Sequence, residues 1–276
     1  MTIPITGQPP VPGLDDPATF NTKALNLFAW ITGSMLDQFN NVDPADYFDI
    51  AAITNRANLI INGSGRINQR AYVSGAATSG ANQYTLDRWR VVTSGQNLSF
   101  TGTAAARVMT APAGGVEQVV EGVNVVGGTY IISWTGTATC TVDGVAKAAG
   151  ATFTLTANTN ATVRFSGGTF TDVQIEAGTT PTAFDRRRID EELRACQRYY
   201  ETKGIFDNLP VVPALSSSTG RGYFTFHAPK RVTPSMAFVY SGGGTGAAWS
   251  VGLSGGFQTS SHSTTSGFSF SADAEI

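Results

Sequence analysis

Apolar residues first recur at helical spacing. Phe20, Ala24, Leu27, Phe28, Ile31, Met35 and Phe39 follow one another at intervals of three and four, which places them on one stripe of a helix of about six turns. Asp15-Asp16-Pro17 supplies an acidic cap and a proline at the first helical position, and Asn40-Asn41 with Pro44 stops the run. A shorter helical pattern, Tyr47, Ile50 and Ile53, fills Pro44 to Ala57, and the proline-rich residues 1–14 read as an extended arm.

From Asn58 the period changes to two. Leu59-Ile60-Ile61 begins the β region, and Tyr84 to Val92 predicts a strand around Trp89. Thr129–Trp134 and Thr137–Val142 read as neighbouring strands, with Trp89 and Trp134 as core residues. Phe153/Leu155 and Val163/Phe165 alternate with polar neighbours. Between Phe170 and Ala177, Val173 and Ile175 take one face while Gln174 and Glu176 face outward. Val142-Asp143-Gly144-Val145 predicts a two-residue hairpin, because Asp-Gly tolerates the positive φ of a type I′ turn. Residues 185–204 return to helical spacing: Ile189, Leu193, Cys196 and Tyr199/Tyr200 form a stripe, and Glu191, Glu192, Arg194 and Arg198 form the outer face with a Glu191–Arg194 pair. The tail is β again, at Gly222–Phe226, Met236–Tyr240 and Phe268–Phe270. Even spacing of short strands with Gly, Thr and Asn turns predicts a sandwich or jelly roll.

Composition agrees with a mainly β chain of about two domains, with abundant Gly, 41% hydrophobic and only 14% charged residues. A net charge of −2 gives no global field for nucleic acid or an anionic membrane. No apolar segment approaches the roughly 20 residues of a membrane span. The first residues lack the pattern of a secretory signal, so an exported role points to release by lysis with an assembled particle. Cys140 and Cys196 have no metal or redox spacing and read as small buried hydrophobes.

Three runs then acquire a common meaning. Asn58-Leu59-Ile60-Ile61-Asn62-Gly63, Tyr84-Thr85-Leu86-Asp87-Arg88-Trp89 and Val173-Gln174-Ile175-Glu176-Ala177-Gly178 resemble the carbohydrate-binding-like jelly-roll domains of phage tail fibres. Thr182-Ala183-Phe184-Asp185-Arg186-Arg187 and Glu192-Leu193-Arg194-Ala195-Cys196-Gln197-Arg198-Tyr199-Tyr200 resemble them most closely, and the helix carrying Phe20, Phe28 and Trp30 is similar to their attachment segment. Gene transfer agents carry similar proteins as fibres or head spikes. The resemblance spans roughly residues 15–204; the tail shares only the texture of small fibre tips. It implies a jelly-roll β-sandwich, a homo-oligomer (trimer favoured), and receptor binding to host-cell polysaccharide during adsorption. The matching motifs read as scaffold and assign no ligand site.

The expected layout is an N-terminal arm and attachment helix at 1–57, a carbohydrate-binding-like jelly roll at 58–184, a linking helix at 185–204, and a C-terminal β tip at 205–276. Phe20, Leu27, Phe28, Ile31, Met35 and Phe39 are the candidates for particle attachment or the oligomer interface. Their partners would be copies of the chain or other structural proteins of the virion or gene transfer agent.

Catalytic chemistry finds little support. Glycosidases need two positioned carboxyl groups, and Asp87, Glu117, Glu121, Asp143, Asp172 and Glu176 fall in no motif. Two histidines make neither a triad nor a metal centre. Gly242-Gly243-Gly244 lacks the Lys-Ser/Thr of a phosphate loop, and Arg186-Arg187-Arg188 reads as a solvated or domain-bridging face. No enzyme activity, metal or cofactor is expected. Sugar binding asks instead for an aromatic face with polar neighbours. Tyr72, Tyr240, Trp249, Phe257 and His262, embedded in Gly, Ser, Thr and Ala, are the carbohydrate-binding candidates. The tail aromatics could equally fill the axis of an oligomer. The expected function is a fibre or spike subunit on a phage-like particle that attaches to surface polysaccharide. The alternatives are a ligand-free collar, baseplate or head-spike-base protein and, more remotely, a carbohydrate-active enzyme.

Overall fold

The computed structural model describes residues 58–204, 211–212, 221–240, 249–258 and 268–276. The expected attachment helix, with Phe20, Leu27, Phe28, Ile31, Met35 and Phe39, and the pattern at Pro44–Ala57 lie outside the described residues.

Two antiparallel sheets build the larger part. One joins β1 (Gln83–Tyr84), β2 (Arg90–Val91), β5 (Val116–Val120), β10 (Ala161–Ser166), β7 (Thr139–Val142) and β8 (Val145–Lys147), in that order. The other joins β3 (Ser99–Thr103), β4 (Ala106–Ala111), β11 (Gly168–Ala177), β6 (Gly128–Gly136) and β9 (Thr152–Leu155). The pairing is nested: β7 with β8, β6 with β9, β5 with β10, and β4 with β11.

Alternation fills the space between the sheets, as period two requires. Val116, Val120, Cys140, Val142, Val163 and Phe165 come from the first sheet; Met109, Ala111, Tyr130, Ile132, Phe170, Val173 and Ile175 come from the second. Phe165 and Phe170 stack across the sandwich with ring centroids 4.6 Å apart, while Trp89 meets both edge-on at 6.1 and 5.3 Å. Trp134 approaches Phe165 edge-on and is only half-buried. Such pairs add roughly 0.5–1.5 kcal/mol each beyond their buried area.

The hairpin at 142–145 forms as its turn chemistry dictates. Asp143 and Gly144 take φ of 49° and 79°, and Val142 faces Val145. Two other strand expectations change. Tyr84–Val92 is itself a hairpin: Arg88 adopts φ 71°, the Trp89 N–H donates to Leu86 O, and Tyr84 pairs with Arg90. Thr129–Trp134 and Thr137–Val142 do not pair, because the chain crosses from one sheet to the other between them.

Part of the second sheet's outer face is also covered, which alternation alone did not reveal. A strap at 178–188 crosses the second sheet. Glu176, expected to face outward, is 1% exposed and accepts from the Thr182 N–H and hydroxyl at 2.7 Å each. Gln174 accepts from the Asp185 N–H at 2.7 Å. The helix that follows, α1 (Ile189–Gln197), is shorter than expected. Glu192 is buried rather than outer, accepting from the Asn62 N–H and pairing with Arg187. Ile189, expected on the apolar stripe, is 49% exposed. Among the described residues no ion pair joins Glu191 to Arg194; Glu191 instead receives the Arg188 N–H at the start of the helix.

Beyond α1 the chain becomes β12 (Tyr200–Lys203), which pairs with β18 (Phe268–Asp273), itself paired with β15 (Ser235–Tyr240). The expected helix therefore ends in a strand of the tail. A second small sheet joins β13 (Val211–Val212), β14 (Arg221–Thr225), β17 (Gly255–Gln258) and β16 (Trp249–Val251). Phe224, Phe226, Phe270 and Ala272 make the tail core, with Met236, Phe238 and Val251 against it. Residues 56–276 form one compact unit, and no described helix is long and apolar enough to cross a membrane.

Candidate functional site

The runs that carry the resemblance converge, and they do so as scaffold. Asn58 Oδ1 accepts from the Ile60 and Ile175 N–H groups at 2.9 and 3.1 Å, and its amide donates to Val173 O. Asn62, at φ 59°, donates from its amide to Ile67 O and Asp87 O, while Trp89 Nε1 donates to Asn62 O at 2.9 Å. Gly63 must lack a side chain here, since a β-carbon would stand 2.3 Å from the Val173 carbonyl oxygen. Arg187 donates to Ile60 O at 3.0 Å and also to Asn58 O. Nearly every polar atom in this knot has a partner, so it orders a buried loop and offers no vacant chemistry.

The carboxylates considered for catalysis are likewise engaged. Asp87 accepts from Gln69 N and Nε2 at 2.6 and 2.7 Å, and burial raises its pKa above the usual aspartate value. Glu117 bridges Arg90 and Arg164 at 2.7 and 2.6 Å. Glu121 receives Arg198 and the Tyr199 hydroxyl; against the opposing effect of burial, these bonds hold its pKa below the ordinary glutamate value. Asp143 accepts from the Thr162 N–H, and Asp172 pairs with Arg186 at 3.2 Å. Arg186 and Arg187 thus bridge segments, and Arg188 is solvated. Burial pushes the Cys140 thiol up to about 12 and the Cys196 thiol well above its usual value. Among the described residues no cluster of three or more His, Cys, Asp or Glu is placed to hold a metal ion.

The tail docks on the sandwich through its last residues. Arg88 pairs with Glu275 and donates to Val119 O at 2.6 Å, its guanidinium lying 3.6 Å from the Tyr199 ring centre. Tyr84 Oη and Arg90 Nη1 donate to Ile276 O at 2.8 and 2.6 Å, and Arg231 reaches Ala274 O and Glu275 O. Glu275 is almost wholly buried, and that burial raises its pKa despite Arg88 and Arg70.

Beside this seam lies an open groove of about 490 Å³, within the range of small-ligand sites. Arg70, Tyr72, Gln83 and Tyr84 line it from the sandwich; Tyr200, Ser235, Met236, Ala237, Ser271 and Asp273 line it from the tail. The tail side follows from strand register: Tyr200 faces Asp273, Asp273 faces Ser235, and Ser271 faces Ala237 on β12, β18 and β15. The Arg70 guanidinium packs 3.5 Å from the Tyr200 ring centre and 5.2 Å from that of Tyr84, and it pairs with Asp273 at 3.1 Å. Three half-buried tyrosines, two serines, a glutamine and an ion pair therefore share one cleft. Burial raises the pKa of both Tyr72 and Tyr84, so these phenols stay neutral across the physiological range.

Of the predicted sugar-binding residues that are described, only Tyr72 lines this groove. Its hydroxyl sits 2.6 Å from Ala76 O and 2.8 Å from Leu98 O, leaving the ring as its available feature. Tyr240 lies on β15, three residues or roughly 10 Å beyond Ala237. Trp249 and Phe257 lie on β16 and β17 of the other small sheet, and His262 lies outside the described residues. Tyr84 and Tyr200 stood in the resembling runs, and their aromatic character was a usable signal. Their meeting with Asp273 depends on non-local strand pairing that no local pattern reports. Comparison of the chain with protein-family models, curated proteins and solved structures returned no match.

Proposed function

We propose that this chain is a fibre or spike subunit of a phage-like particle, and that it attaches the particle to cell-surface polysaccharide through the groove at Tyr72, Tyr84 and Tyr200. The groove carries the proposal. Aromatic rings beside hydroxyl, amide and carboxylate groups match what a pyranose offers, an apolar face rimmed by hydroxyls.

The nested pairing of β4–β11, β5–β10, β6–β9 and β7–β8 supports a finer reading of the sandwich as a jelly roll, a long antiparallel ribbon rolled on itself. The resembling runs serve as its internal ties. In this reading residues 1–57 attach the subunit to the particle or to sister chains, a trimer being the favoured assembly. Several weak sites then act together, and avidity supplies what one groove lacks.

Ala237 is exposed on β15 and lines the groove without joining either core, so Ala237→Trp fills the cleft and spares the fold. On a glycan array, the intact oligomer is expected to bind a definite set of saccharides, and Ala237→Trp to lose at least tenfold in apparent affinity with its unfolding temperature unchanged. Equal binding by both proteins places the saccharide elsewhere and overturns the groove assignment. No binding by either favours a purely architectural subunit.

A further inference from the structure

We infer that the groove selects a neutral, hydroxyl-rich saccharide and rejects acidic ones, with Asp273 as the specificity-determining acceptor. This rests on the glycan reading above and deepens it.

The charge that the cleft exposes decides which saccharide it accepts. Arg70 is the only cation among the lining residues, yet its side chain is only 11% exposed. One face lies against Tyr200, and Nη2 is shared between Asp273 and Glu275 at 3.1 and 3.4 Å. Its paired nitrogen is thus answered from within the protein, and Nη1, which has no partner, is buried out of a ligand's reach. Asp273 differs, with 46% of its side chain exposed. Its Oδ2 accepts from Arg70 and its Oδ1 from the Glu275 N–H at 3.0 Å. An ionised carboxylate has about four acceptor positions, so roughly two remain for a ligand.

The accessible charge in the groove is therefore negative and hungry for donors. Neighbouring Ser235 and Ser271 add neutral hydroxyls. Two hydroxyls of a hexose can donate to Asp273, and such charge-assisted bonds are about twice as strong as neutral ones. A uronate or phosphate would instead face Asp273 with no free cation among the described lining residues to meet it, a like-charge contact that disfavours binding. Register supplies a clean way to alter this balance, because Ser235 stands directly opposite Asp273 on the neighbouring strand. A lysine there reaches the carboxylate without removing any existing bond.

The test uses the intact protein against paired neutral and uronate-containing oligosaccharides of equal length, at low and moderate salt. Wild type is expected to bind the neutral member at least tenfold more tightly. Asp273→Asn is expected to lose about tenfold on the neutral member. Ser235→Lys, which keeps the Arg70 pair, is expected to narrow the neutral-to-acidic ratio at least fivefold at low salt, with normal unfolding temperature. A wild-type preference for acidic oligosaccharides, or a ratio unmoved by Ser235→Lys, overturns the inference while leaving glycan binding intact. Failure to bind either class overturns the glycan reading as well.

Discussion

The sandwich and the tail are both antiparallel β structure, but they are held by different forces. The sandwich has a continuous apolar interior in which Trp89, Phe165 and Phe170 meet across the sheets. The tail has a small cluster around Phe224, Phe226 and Phe270, and it surrounds that cluster with buried charge. Glu201 and Lys230 are both fully buried, with Nζ and Oε2 2.6 Å apart; Lys230 also donates to Gln197 O, and Glu201 accepts from His227. Desolvation lowers the Lys230 pKa, opposed by its bond to Glu201. Arg88 and Arg90 then tie Glu275 and Ile276 to the sandwich, while the Ala274 and Arg231 N–H groups donate to Tyr199 O and Arg198 O just after α1. A small β unit with little apolar volume gains order by docking on a larger one. The groove opens along that seam, so the site depends on the weaker of the two regions.

Four single substitutions, in descending order of effect, and one double variant separate the regions. Phe165→Ala opens a cavity between the sheets and is expected to cost about 4 kcal/mol, read as one cooperative loss in urea unfolding. Glu201→Gln leaves an uncompensated buried ammonium and is expected to cost about 3 kcal/mol. Hydrogen exchange should then rise in 221–276 well before it rises in 99–177; uniform exchange would show that the two regions are not separately stabilised. Glu201→Leu with Lys230→Met, which removes both charges, should recover most of that loss.

Glu121→Gln probes the seam between the sandwich and residues 198–199. The Glu121 pKa is lowered in the fold, so its stabilisation is present above the ordinary glutamate value of 4.5 and is lost as pH falls through the depressed value. The variant is expected to lose about 1.5 kcal/mol at neutral pH and to show a shallower decline in unfolding temperature on acidification. The smallest effect belongs to Gly144→Ala. Gly144 sits at φ 79° with open space around a would-be β-carbon, so the cost is backbone strain alone, about 1 kcal/mol.

Features set by neighbouring residues were legible in the sequence. Asp143-Gly144 announced its hairpin because turn chemistry is local, and the assignment of Val173 and Ile175 to the core needed only period two. What covers a face was not legible. Glu176 and Glu192 fall on the polar sides of their elements, yet the 178–188 strap and the Asn62 loop bury them. Tyr199-Tyr200 suited a continuing helix equally well until pairing of 200–203 with 270–273 made it a strand. The groove was hidden for the same reason. Arg70, Tyr84, Tyr200 and Asp273 stand far apart in the chain, and two strand pairings with a docked seam assemble them.

A structure of the intact protein with its best-binding oligosaccharide tests the central claim most directly. A sugar ring is expected against Tyr84 or Tyr200, with its hydroxyls donating to Asp273. A sugar bound instead at Trp249 and Phe257, with the groove holding only solvent, would contradict it.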